Sequence, residues 1–72
     1  MTYELTNEQK SDIVNQHLRS LEYSIYNIQL SVMEEESRTT PEESMLQSLN
    51  ASLTDLNAKK TALLNELASI NV

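Results

Sequence analysis

Few residues of this 72-residue chain are of types that do chemistry: one histidine, His17, one lysine set in an apolar pattern, Lys60, and the glutamates Glu34, Glu35, Glu36, Glu42 and Glu43. A general base needs a partner and a pocket. The sequence around His17 suggests no Ser-His-Asp or Cys-His grouping, so His17 reads as a structural or solvated side chain beside Lys59. Clustered carboxylates can hold Ca²⁺ or Mg²⁺, but calcium loops also supply Gly, Asn or Asp at set spacing. This chain contains no glycine. The acidic group reads as a solvated tip, partly explained by helix capping, with docking onto a basic partner as the alternative. Lys60 could be a catalytic amine; in its pattern it reads as a residue that snorkels and sets register or oligomer state. The triplet Asn50-Ala51-Ser52 matches a glycosylation sequon but falls within a helical pattern. The expectation is a protein that is not an enzyme, with no catalytic residue, no cofactor and no metal.

The totals point the same way. Without glycine, phosphate-cradling loops of the Walker and dinucleotide types are excluded; without cysteine, so are disulfides and thiolate sites. Eleven Asp and Glu against five Lys and Arg leave a formal charge of −6. No long apolar run is present and the N-terminal residues carry no signal-like pattern. A soluble, cytoplasmic protein away from membranes is expected.

The elements follow from spacing. Thr6-Asn7-Glu8-Gln9 fits a capping box. Val14, Leu18, Leu21, Ile25, Ile28 and Val32 then recur in steps of four and three, the rhythm of a helical seam. This predicts helix 1 from about 7 to about 36. A turn at 37–40 follows. Pro41 suits the first position of a new helix, with Thr40 and Glu43 as a second capping box. Helix 2 is predicted from about 41 to about 71, on the seam Leu46, Leu49, Leu53, Leu56, Lys60, Leu63, Leu67, Ile70. Residues 1–72 thus form a single all-α domain, an antiparallel, coiled-coil-like two-helix hairpin. Folding about Arg38-Thr39 pairs Ile28 with Leu49, Leu21 with Leu56 and Val14 with Leu63. It also brings Lys10 near Glu66, and Glu36 near Glu43, where repulsion would loosen the tip. Asn50, Asn57 and Asn71, spaced in heptads beside the seam, suggest interhelical hydrogen bonds.

One seam is little for a chain of this length. Helix 1 carries a second stripe, Tyr23, Tyr26, Leu30 and Met33, nearly opposite the first. A helix apolar on two faces has two neighbours. Helix 2 has a back face of small residues, Ala51, Thr54, Ala58, Thr61, Ala62 and Ala68, which another helix can approach closely. The reading is self-association, most simply a homodimer forming a four-helix bundle through the stripe. Scattered surface residues, and a stripe that binds a different protein, are the alternatives.

The opening Thr2-Tyr3-Glu4-Leu5-Thr6-Asn7-Glu8-Gln9-Lys10, the stretch Val14-Asn15-Gln16-His17-Leu18-Arg19 and the acidic break before a leucine-rich helix together resemble small uncharacterised proteins of tailed phages of marine cyanobacteria. The resemblance spans most of the chain and carries no binding motif, so no site residue follows from it. It implies a viral origin and a structural, virion-associated role; the alternative is an accessory protein that binds and modulates a host enzyme or regulator. The location would be the host cytoplasm or the virion.

Nucleic acid is not expected as a partner. Phosphate binding needs several clustered cations, and only Lys59-Lys60 are adjacent here; a symmetric dimer uniting two such pairs is the one route to a basic patch. Fluorescence-anisotropy titration with duplex DNA and single-stranded RNA should stay flat at low and physiological salt. Saturable, salt-sensitive binding lost on K59E/K60E would overturn this.

Overall fold

The computed structural model describes residues 4–70, which form two helices, α1 (Asn7–Glu36) and α2 (Glu43–Ile70), with no strand among the described residues. α1 begins at the capping box read from the sequence. The Gln9 N–H donates to Thr6 Oγ1 at 3.1 Å and the Thr6 N–H donates to Gln9 Oε1 at 2.9 Å. Two of the N–H groups that a helix start leaves unpaired are thereby satisfied.

The helices pack against each other as an antiparallel hairpin measuring 61 × 21 × 15 Å. In α1 the partly or fully covered residues are Ser11, Val14, Leu18, Leu21, Ile25, Ile28, Val32 and Glu35, with Ser24 and Ser31 beside them. In α2 they are the eight residues of its seam, from Leu46 to Ile70, and no other described residue. Each seam is therefore the stripe that the spacing of three and four defines. Leu18 and Ile70 are the only buried apolar side chains among the described residues, and none is fully enclosed. Two helices cover each other from one side only, so the remaining seam residues stay half-buried.

The register differs from the one obtained by folding the sequence about Arg38-Thr39. Leu21 shares a surface hollow with Lys59 and Leu63, Ile28 with Ser52 and Leu56, and Ser31 and Glu35 with Leu49. Lys60 reaches Glu22 at 3.7 Å. This places Leu49 beside Val32 rather than Ile28, and Leu56 beside Ile25 rather than Leu21. Leu63 correspondingly lies beside Leu18 rather than Val14. The displacement is about one helical turn. In this register the two seams stay level along their length, whereas folding about Arg38-Thr39 sets alternate layers one residue out of step. The Lys10–Glu66 ion pair is not formed among the described residues; the ion pair between helices is Lys60–Glu22.

The start of α2 also differs. Its first helical residue is Glu43, not Pro41, and the Leu46 N–H donates to the Glu42 carbonyl at 3.1 Å, which makes Glu42 the cap. Thr40 makes no capping hydrogen bond with Glu43, so the second capping box is absent and Pro41 lies outside the helix. The physical reason is a competing carboxylate from α1, described below. Asn71 lies outside the described residues, and the described part of α2 ends at Ile70.

The two threonines should therefore behave differently. Thr6→Ala is expected to cost about 1 kcal/mol by chemical denaturation, while Thr40→Ala stays within about 0.5 kcal/mol. Equal losses would mean that Thr40 caps α2 after all.

Candidate protein-binding face

α1 ends without a left-handed residue; no described residue has positive φ. Its last carbonyls are satisfied otherwise. The Ser37 N–H donates to Met33 O at 3.1 Å, the Arg38 N–H to Glu35 O at 3.2 Å, and the Ser37 hydroxyl to Glu34 O at 2.8 Å. These close the final turn tightly. The side chain of Glu35 continues the 3–4 stepping of the seam one position past Val32, and it is buried, with 6% exposure. Arg38 Nη1 bridges both of its oxygens, at 3.1 and 2.8 Å, and the Glu42 N–H donates to Oε2 at 3.0 Å.

Glu35 thus ties the end of α1 to the cap residue of α2. A carboxylate at the negative end of its own helix is badly placed, but it is well placed against the positive end of the next. Arg38 supplies the compensating charge. The acidic tip is therefore not uniformly solvated: Glu34, Glu36, Glu42 and Glu43 are exposed, while Glu35 is bonded inside the turn. A tip loosened by Glu36 against Glu43 leaves this clasp out of account. The Ser44 hydroxyl donates to Glu42 Oε1 at 3.1 Å and adds a local bond at the helix start. Among the described residues no three His, Asp or Glu side chains are grouped to hold a metal ion. Glu35 itself has both oxygens committed to protein donors.

His17 lines a hollow with Ser20, Leu21, Lys59, Ala62 and Leu63, so it does lie near Lys59. It makes no hydrogen bond among the described residues, and it is exposed. Lys60 is half-buried on the seam with its ammonium turned toward Glu22, the behaviour of a snorkelling lysine. Asn50 and Asn57 are exposed and make no bond across the helices. Their carbonyls instead accept the hydroxyls of Thr54, at 3.1 Å, and Thr61, at 3.0 Å. With those hydroxyls turned back onto the helix, the small-residue face of α2 presents mainly methyl groups.

The four stripe residues lie together on the side of α1 away from α2. Tyr23 is 70% exposed, Tyr26 61%, Leu30 36% and Met33 62%. Tyr23 and Tyr26 share a hollow with Arg19 and Glu22. Nothing among the described residues covers this surface. Sequence reading missed four further exposed apolar side chains: Leu5, ahead of the α1 cap, and Ile13, Met45 and Leu64 on the helices. The last three are sequence neighbours of seam residues, and that adjacency was the available signal. No helix among the described residues is long and apolar enough to cross a membrane.

Removing the clasp should be felt in the hairpin as a whole. Glu35→Ala leaves the Glu42 N–H and a guanidinium unpaired and is expected to cost about 2 kcal/mol in urea denaturation. Arg38→Ala, whose side chain is largely exposed, should cost about half as much. A neutral Glu35→Ala would return Glu35 to the solvated tip.

Compared with protein families, curated proteins and solved structures, the chain matches none.

Proposed function

We propose that this chain is a non-enzymatic protein–protein interaction module that associates with copies of itself through Tyr23, Tyr26, Leu30 and Met33. The observation that carries this reading is the regular row of four large apolar side chains left uncovered opposite the intramolecular seam. A helix with apolar stripes on two sides has a use for two neighbours, and α2 is only one.

The exposed area supports the same reading. The hairpin exposes 5780 Å², against roughly 4,500 Å² for a compact monomer of this mass. Its radius of gyration is 16.9 Å, against about 11 Å for a compact domain of this length. The surplus area exceeds the ~800 Å² that each partner contributes to an interface of ordinary size. The phage resemblance extends the reading to a virion component, with an accessory binder of a host enzyme or regulator as the competing role. Presence in washed particles, as against infected-cell lysate alone, separates the two.

Sedimentation over a micromolar concentration series tests the association itself. The wild type should move from 8.2 kDa toward a multiple of that mass, and Tyr26→Glu should stay monomeric with its helix content retained. A stable monomer indifferent to Tyr26→Glu would remove this function.

A further inference from the structure

The self-association reading leaves the geometry of the contact open, and the exposed face of α1 carries enough detail to define it. The hollow beside the stripe is lined by Arg19, Glu22, Tyr23 and Tyr26. Those positions stand at i, i+3, i+4 and i+7, the four-cornered outline of a hole that receives a knob in helix–helix packing. A knob is present on the same helix: Met33, unbranched, adaptable and largely exposed. Met33 lies too far along α1 to reach its own hole, but a second α1 can bring it there.

We infer that two copies pair through antiparallel α1 helices about a two-fold axis, with Met33 of each seated in the Arg19, Glu22, Tyr23, Tyr26 hollow of the other. The inference rests on the self-association reading and adds orientation and register to it. The axis then passes midway between Tyr26 and Leu30. Tyr26 faces Leu30 of the second copy, Tyr23 faces its Met33, and sulfur meets an aromatic ring at both ends.

Charge selects this orientation. Arg19 and Glu34 stand just beyond the two ends of the stripe, both exposed, and neither makes an ion pair among the described residues. Antiparallel pairing brings Arg19 of one copy within about one helical turn of Glu34 of the other, twice by symmetry; Glu22, which stands level with Glu34 of the second copy, is already turned to Lys60 of its own. Parallel pairing would set Arg19 on Arg19 and Glu34 on Glu34, and would bring two acidic turns together in a chain of charge −6. Stacking the stripe on the small-residue face of another copy's α2 would leave a stripe free at every step, and so would grow into open-ended assemblies rather than closing. Because the stripe lies nearly opposite the seam, the α1 pair becomes the centre of a four-helix layer, with α2 of each copy outside.

Charge reversal tests the arrangement. Sedimentation equilibrium is measured for wild type, Arg19→Glu, Glu34→Arg and the double variant, with circular dichroism as the check that the hairpin is intact. Each single reversal creates two like-charge contacts and should weaken the dimer about tenfold or more. The double variant restores opposite charges at both ends and should return to within about threefold of wild type. A dimer indifferent to the single reversals, a double variant no better than either, or growth past the dimer would overturn the antiparallel pairing while leaving self-association standing. A wild type that stays monomeric throughout would overturn both.

Discussion

Two helices can cover each other along one line only, and most of this structure follows from that limit. In a domain of several layers a leucine is surrounded; here Leu18 and Ile70 are the only buried apolar side chains among the described residues. The others, from Val14 to Val32 and from Leu46 to Leu67, have a wall of neighbours on one side and water on the other. Burial is the main source of folding free energy and scales with apolar area removed from water. A seam that leaves its members half-covered therefore stabilises weakly per residue. It also demands good alignment: slipping the helices by one turn would set every second layer one residue out of step.

Alignment is where the turn matters. The six residues between the helices contain no glycine, and no described residue among them takes positive φ. Chain reversal is instead organised around one side chain. Glu35 lies on the seam, where a leucine would satisfy the pattern, and its carboxylate binds Arg38 and the Glu42 N–H. It closes the apolar stripe with a polar group that is fully engaged, and it determines where α2 can begin. With Glu42 held as the cap, the first turn of α2 is oriented from α1, and the layers above inherit that register. A buried charge costs free energy unless it is paired and hydrogen-bonded, so the clasp favours the one turn conformation that supplies both partners.

The residues themselves explain which parts were legible in advance. The two seams recur in steps of three and four, and nothing in the fold displaces them. Thr6 and Gln9 are a local pair whose bonds depend on no other element. Thr40, Pro41 and Glu43 present the same kind of local pattern and yet make no cap, because the start of α2 is held by Glu35, seven residues away from Glu42 in sequence. Local rules cannot see that competitor. The register failed for the same reason: a turn of four residues was assumed where the clasp defines one of six. Tyr23, Tyr26, Leu30 and Met33 were legible as a stripe and are exposed as a stripe. The hole formed with Arg19 and Glu22 has the i, i+3, i+4, i+7 spacing of the predicted helix, but spacing alone does not say which of many such sets leaves a hollow; the side chains do.

In the proposed pairing, folding and association are two uses of a single helix. α1 carries one apolar line for its own α2 and, on the reading proposed above, another for a second molecule, so any contact that orders α1 would serve both. The turn clasp lies beyond Met33, at the end of the stripe, and holds that end of α1 in helical form. Seating Met33 in another copy's hollow would in turn protect the same segment from fraying. A ligand that binds only the folded state shifts the folding equilibrium by mass action, and in the proposed pairing the ligand is the same chain. Stability of the hairpin and occupancy of the stripe would rise together with concentration. A small seam with no enclosed side chain among the described residues fits such coupling: the isolated hairpin need be no more than marginally stable, because the second line of burial would become available when copies meet.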